Sequence, residues 1–221
     1  MSADNNFKSP LSGMDKYGEP RMKLAVLLRD KILNKLGIPW TIENGTLLGA
    51  WRDGRFILHD DDFDIAMFCD GDPKPQIPRI LRKIKQLLPA PYEARYVSTY
   101  ADKIEVYEPK YGKYNLLAAK YNGASYHHCT VDLQFYQRVG EKYQSLYYIH
   151  PNIKTVYYKD LYPLSKIELE GEIFQAPFNT EGFLTSLYGN LSPKAKFNTK
   201  TGYYEVRDDN TNTQTLVPAC A

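Results

Sequence analysis

The sequence predicts an α+β chain, and three patterns carry that expectation. Apolar residues recur at helical spacing in two stretches, Leu24 to Leu36 and Ile77 to Leu88. From about 92 to 137 the chain turns to Tyr- and Val-bearing segments broken at Asp102, Gly112 and Asn122-Gly123, which reads as strands and turns. Phe63, Ile65 and Met67 alternate with Asp62, Asp64 and Ala66, the period of a strand with one apolar face.

Taken in order, residues 1–21 carry Pro10, Gly13, Gly18 and Pro20 with few apolar side chains and are expected to form a flexible arm. Leu24, Leu27, Leu28, Ile32 and Leu36 then define a first helix that ends at Gly37. Pro39 to Ile42 reads as a short strand, and Thr46 to Arg52 as one or two helical turns opening at Gly45. The strand at 63–67 follows, and then a helix over Ile77, Ile80, Leu81, Ile84 and Leu88, stopped by Pro89. Strands are expected near 92–99, 103–108, 114–121 and 130–137. Ile167-Glu168-Leu169 and Ile173-Phe174-Gln175 flank the turn at Glu170-Gly171 as a hairpin. A last helix runs from Thr180 to Tyr188 with Asn179 as its cap. Residues 205–221, rich in Asn, Thr and Asp, are expected to be a flexible tail, which leaves 22–204 as one domain.

Composition narrows the function. A chain of 221 residues with 43% hydrophobic content can build a core without disulfides or structural metal. Its 28 basic and 26 acidic residues leave a net charge of +2, too balanced for a dedicated nucleic-acid surface. Cys69, Cys129 and Cys220 form no CxxC pair, so reduced thiols are expected. His127-His128-Cys129 has no partner pair at ligand spacing and reads as structural or surface rather than as a zinc site. No apolar stretch approaches a membrane span, and the start lacks an export signal, so the expected location is the cytoplasm.

The segment His59-Asp60-Asp61-Asp62-Phe63-Asp64 is the most informative, because it holds four carboxylates with no cation between Arg55 and Lys74. Such crowding calls for a compensating positive charge. If Phe63, Ile65 and Met67 face the core, Asp62 and Asp64 share the opposite face. Two hard oxygen ligands there suit Mg2+ or Mn2+ together with substrate phosphates. An EF-hand is excluded by Ile65 and Gly71 where that loop needs Gly and Glu. Asp132, in Val131-Asp132-Leu133-Gln134-Phe135, occupies the polar parity of a second apolar strand. Were the two strands neighbours, three carboxylates would meet, and the least committed could accept a proton from an attacking hydroxyl. Asn44-Gly45-Thr46, between a strand and a helix start, offers free N–H groups and a hydroxyl as a phosphate cradle.

The run Gly45-Thr46-Leu47-Leu48-Gly49-Ala50-Trp51-Arg52-Asp53-Gly54, continued by Phe56-Ile57 and Asp60-Asp61-Asp62-Phe63-Asp64-Ile65-Ala66-Met67, resembles the LicD family motif GTLLGAxRxGxFIxxDDDxDIxM. Val131 to Phe135, Tyr162-Pro163-Leu164, Ala176-Pro177 and Leu184 to Gly189 extend the resemblance over about 22–70 and 130–193. It implies a nucleotidyltransferase-like mixed β-sheet packed by helices, with added hairpins. It further implies a phosphotransferase that moves a phosphorylated alcohol, such as phosphocholine or ribitol phosphate, from a CDP-linked donor to a glycan or glycan-precursor hydroxyl. Asp62, Asp64 and Asp132 would be the catalytic, metal-binding triad, with Asp60 contributing to the Mg2+ or Mn2+ site. Gly45 and Thr46 would bind donor phosphate, and Arg52 would neutralise charge on it. The same triad would serve a nucleotidyltransferase acting on a small molecule or macromolecule. A non-catalytic glycan- or protein-binding member of the fold is the third alternative.

Overall fold

The computed structural model describes residues 14–57, 60, 62–98, 101–114, 125–127, 129–146, 154–192 and 194–206. Helix α1 (Met14–Leu28) continues through a π-helical turn, Arg29–Leu33, and a last turn, Asn34–Leu36. It stops at Gly37, whose φ of 70° is the left-handed cap that glycine adopts without strain.

This corrects the expected arm, since residues 14–21 are helical with Pro20 inside the helix. The helix begins early because its buried face does: Tyr17, Arg21, Leu24, Ala25, Leu28 and Ile32 follow helical spacing and are all buried. The Tyr17 ring meets the edge of Tyr111 at 5.7 Å, a tertiary contact that outweighs the local cost of Gly18 and Pro20. Glu205, expected at the start of the tail, closes a strand, while 207–221, Cys220 included, lie outside the described residues.

The main sheet is mixed. Strands β1 (Trp40–Ile42), β2 (Phe63–Cys69), β3 (Glu93–Val97), β4 (Lys103–Tyr107) and β7 (Thr130–Val139) lie in the order β1-β2-β7-β4-β3. Only the β2–β7 pair among these is parallel. The second half of β7 pairs with β8 (Lys142–Ser145), which pairs with β9 (Thr155–Tyr157). Strands β5 (Gly112–Tyr114) and β6 (Ser125–His127) form a separate pair, and most of the strand expected over 114–121 lies outside the described residues.

Helix α2 (Asn44–Asp53) follows β1, and α3 (Ile77–Leu87) follows β2. A single turn, α4 (Tyr158–Leu161), leads to the hairpin β10 (Ser165–Leu169) and β11 (Glu172–Ala176), and then to α5 (Thr180–Tyr188). Asn179 caps α5 by accepting the Gly182 N–H at 3.0 Å. A last hairpin, β12 (Lys196–Asn198) and β13 (Tyr203–Glu205), completes the described fold.

Register fixes the two faces of the central pair. Phe63, Ile65 and Met67 stand opposite Val131, Leu133 and Phe135, and all six are buried in one core with Leu24, Leu28, Ile32, Ile80 and Ile84. Each such side chain contributes roughly 1.5–3 kcal/mol on leaving water. The other face carries Asp64 opposite Asp132, Ala66 opposite Gln134 and Phe68 opposite Tyr136. It is not the solvated face that alternation suggested: every residue of β2 is buried. Phe68 packs against the rings of Tyr136 at 5.3 Å, Tyr143 at 5.2 Å and Phe183 of α5 at 6.3 Å. The polar pair therefore sits at the edge of a covered aromatic layer. Cys69 and Cys129 are buried and free, and no described helix is long and apolar enough to cross a membrane.

Candidate active site

Three carboxylates meet where β2 and β7 begin. Asp64 and Asp132 are direct partners in the parallel register, and Asp62 immediately precedes β2. One oxygen from each of Asp62, Asp64 and Asp132 lies within 4.8 Å of the other two. Asp64 and Asp132 are buried, and Asp62 is half-buried. Adjacency of the two strands, which the sequence left conditional, is thus met. Among the described residues this is the one such group of metal-ligating side chains, and His127 and Cys129 take part in none.

Buried neighbours orient each member. The Gln134 amide donates to Asp64 Oδ1 at 2.7 Å, and the Asp64 backbone N–H donates to Thr46 Oγ at 3.0 Å. Lys103, on the adjacent β4, pairs with Asp132 Oδ2 and lies 3.2 Å from Glu105 Oε1. Asp132 Oδ1 is buried with no hydrogen-bond partner among the described residues. An orphaned acceptor beside two further carboxylates fits a hard divalent cation as its missing partner. Beneath the site, Glu43 accepts from the Tyr136 hydroxyl at 2.7 Å.

Burial dominates the electrostatics. It pushes Asp64 well above the ordinary carboxylate range, reinforced by Asp62, Asp132, Glu43 and Asp60. It raises Asp132 to about 7, with Lys103 opposing the rise and Glu105 and Asp62 adding to it. Glu43 rises to about 8, again mainly through burial and against the Tyr136 hydrogen bond. A carboxyl whose folded pKa exceeds its unfolded value holds an extra proton between the two. Stability of the metal-free protein therefore rises as pH falls from about 8 toward about 5. Burial pushes Glu105 up, but its Lys103 and Arg95 partners outweigh that and hold it below its ordinary 4.5, so it withdraws its contribution only on further acidification. The expected result is a melting temperature several degrees higher near pH 5.5 than near pH 8 in the presence of chelator. A flat or opposite profile contradicts the assignment of buried, proton-holding carboxyls.

The remaining expected site residues divide. Asp60 does not join the triad. Its backbone carbonyl accepts from Arg21 at 3.2 Å, and its carboxylate packs against Gly45, where a Cβ would lie 2.3 Å from Oδ2. It acts on the site through charge. Thr46 is fully buried, and its hydroxyl accepts the Asp64 N–H, so it ties α2 to β2. Gly45 lets the acidic segment approach the helix start. Gly45→Ala is expected to cost roughly 1–3 kcal/mol by overpacking and to displace Asp60, read as a lowered melting temperature. An unchanged one would show that Asp60 yields freely. Arg52 pairs with Asp53 at 3.0 Å. His59 and Asp61 lie outside the described residues.

Two cavities open on either side of the acidic pair, and Asn44, Asp62, Asp64, Tyr188 and Tyr204 line both. One, of about 380 Å3, also touches Lys103, Asp132, Lys154 and Phe197. The other, of about 430 Å3, touches Gly45, Arg52, Asp60 and Asn190. Asn44 holds a left-handed φ of 48°, which Asn tolerates better than most residues. The β12–β13 hairpin reaches this region and is anchored by Lys154, which donates to the Gly202 carbonyl at 2.7 Å and stands 4.0 Å above the Tyr203 ring.

Sequence reasoning missed Lys103, Gln134, Glu43 and Tyr136. For Gln134 a signal existed, since it shares the polar parity of Asp132. For Lys103 the only hint was a lysine in an apolar strand.

The sequence is 28% identical over 169 residues to an uncharacterized protein of Rickettsia typhi, a match covering 76% of this chain and 46% of that protein. The chain thus spans less than half the length of that relative. Among solved structures, a STING-associated CdnE c-di-GMP synthase from Capnocytophaga granulosa aligns over 65% of this chain and 43% of its own, with 15% identity and a TM-score of 0.31. The LicD/FKTN/FKRP nucleotidyltransferase domain matches residues 37–179, from the end of the first helix to the cap of α5, and includes all three carboxylates. On that match, and with Asp62, Asp64 and Asp132 converging as the motif implies, the chain belongs to the LicD/FKTN/FKRP family.

Proposed function

We propose that the protein is a divalent-metal-dependent phosphotransferase that moves a phosphorylated alcohol from a CDP-linked donor to a hydroxyl of a glycan or glycan precursor. The observation that carries this reading is the triad: three carboxylate oxygens within 4.8 Å, two of them buried, in a chain of this family. Asp62, Asp64 and the free Oδ1 of Asp132 would hold Mg2+ or Mn2+. The ion supplies Lewis-acid stabilisation of charge on the donor phosphates.

In the transfer, the acceptor oxygen forms a bond to the donor's distal phosphorus while the bond from that phosphorus to the bridging oxygen breaks. CMP leaves with the electron pair. The acceptor proton passes to the Asp132 carboxylate as general base. Lys103 steadies that carboxylate, and Gln134 and the Thr46 hydroxyl hold Asp64 in place. The N–H groups at the start of α2, at Gly45, and the Arg52 guanidinium would meet donor phosphate. Two cavities meeting at one acidic pair give the two substrates separate approaches.

The test is a thermal-shift panel of CDP-choline, CDP-ribitol, CDP-glycerol and nucleoside triphosphates with Mg2+ or Mn2+, followed by product analysis on the donor that binds. A metal-dependent shift with one CDP donor, and CMP release on adding acceptor, is expected. A shift with triphosphates alone would replace this reading by nucleotidyl transfer. No shift with any nucleotide would leave a non-catalytic member of the family.

A further inference from the structure

The cavity of about 380 Å3 beside the triad has an ordered polar wall. Asp132, Gln134 and Tyr136 share one parity of β7 and line it as a row about 13 Å long, at about 3.3 Å per strand residue. Ser145 stands opposite Tyr136 in the β7–β8 register, and its N–H donates to the Lys154 carbonyl at 2.8 Å. The Lys154 backbone is thus at the Tyr136 end of the row, away from Asp132, and its side chain lines the cavity. Tyr188 of α5 with Phe197 and Tyr204 of the last hairpin add aromatic surface.

Lys154 is unusual for its charge. It is only 8% exposed, and lysines are almost never buried to that degree without a carboxylate partner. Its Nζ donates to the Gly202 carbonyl and stands over the Tyr203 ring. No Asp or Glu pairs with it among the described residues, and residues 147–153, just before it, contain neither. Burial lowers its pKa, and no neighbouring charge opposes the fall. Lys103, the other cation of this cavity, differs, since Asp132 and Glu105 already share it. One carbonyl and a ring can tether a hairpin, but they leave a desolvated ammonium without a countercharge. An anion in the cavity would supply it through a charge-assisted hydrogen bond.

The two cavities also divide the substrates. Gly45 and Arg52 line one of them, and Asp132 lines the other together with Lys154. With donor phosphate at Gly45 and Arg52, the acceptor hydroxyl approaches Asp132 from the Lys154 side. We propose that this cavity binds the acceptor, an anionic sugar whose phosphate or carboxylate pairs with Lys154 while its hydroxyl faces Asp132. This rests on the proposed transfer to a glycan or glycan precursor and adds the acceptor's charge and orientation. The anion lies toward Lys154 because Asp62, Asp64 and Asp132 repel it at the other end. The rings of Tyr188, Phe197 and Tyr204 offer faces to the sugar between them.

The test is calorimetric binding to the full chain, in Mg2+, of glucose, galactose and N-acetylglucosamine, each as the neutral sugar, the 1-phosphate and the 6-phosphate, and of glucuronate and galacturonate. Wild type is expected to bind at least one anionic sugar about tenfold or more tightly than its neutral parent. Preference for the phosphates names a phosphorylated acceptor, and preference for the uronates a carboxylated one. Lys154→Gln keeps a donor for the Gly202 carbonyl and removes the charge, so it loses the preference, whereas Lys154→Arg keeps most of it. The metal-dependent shift with a CDP donor persists in Lys154→Gln. No preference in wild type overturns the proposal without recourse to any variant. So does a preference that survives Lys154→Gln, and one abolished by Arg52→Gln instead assigns the anion to the donor-phosphate cavity. Absence of a CDP-donor shift in wild type would overturn the transfer reaction and leave the anionic-sugar site standing by itself.

Discussion

Replacing Asp64 by Asn is expected to abolish transfer while making the metal-free protein more stable. Both effects have one origin. Asp64 is buried between Asp62 and Asp132, and in the absence of a cation their oxygens repel across less than 4.8 Å. Asn keeps an oxygen to accept from Gln134, which now bonds Asp64 Oδ1 at 2.7 Å, so the local packing survives. Asn needs no proton to stay neutral in this cluster, so the metal-free chain is expected to gain about 1–3 kcal/mol near neutral pH, a magnitude typical of close charges at moderate effective dielectric. Losing a metal ligand and its charge at the reacting phosphates costs several kcal/mol of transition-state stabilisation, or about a thousandfold or more in turnover. Differential scanning calorimetry with chelator and a CMP-release assay measure the two sides. An Asp64→Asn protein that turns over normally would remove Asp64 from the reaction. One that is active and destabilised would show that the cluster is a structural device.

Lys103→Met is expected to be the most damaging single change to stability near the site. The ammonium is buried with Asp132 and Glu105, both themselves buried, and bridges the two. Glu105 keeps Arg95, whose Nε donates to it at 2.7 Å, but Asp132 loses its protein cation. Removing one partner of such a buried ion pair typically costs about 3–5 kcal/mol, because the surviving charge stays desolvated. A divalent ion can take over part of that duty. Mn2+ should therefore raise the melting temperature of Lys103→Met by more than that of wild type, and the second change Asp132→Asn should recover part of the loss. A variant as stable as wild type, or one whose response to Mn2+ is no larger, contradicts the role given to Lys103.

Much of this was readable from the chain itself. Local periodicity determined the first helix, α3, α5 and the strands β2 and β7, because each buries a continuous apolar face. Parity within each strand determined that Asp64 and Asp132 oppose the residues buried with Leu24 and Ile80, and that Asn179 starts α5. The motif from Gly45 to Met67 was long enough to identify the family before any coordinate.

Tertiary structure alone decided the rest, since it depends on contacts between residues far apart in sequence. No local rule says that β7 lies parallel to β2 in a register that sets Asp64 opposite Asp132, 68 positions away by the residue numbers of that pair. None says that β4 flanks β7 and delivers Lys103 to Asp132 across an antiparallel ladder. The helix start at Met14 was hidden because Gly18 and Pro20 weaken the local signal, and burial of Tyr17 and Arg21 overrides it. Thr46 shows the same division: its place beside Gly45 suggested a phosphate donor, and only the fold turned its hydroxyl onto the Asp64 N–H. The sequence by itself determined which residues are chemically equipped, through charge and parity along the chain. Packing between distant strands and helices decided which of them meet, because burial and pairing are properties of the assembled core.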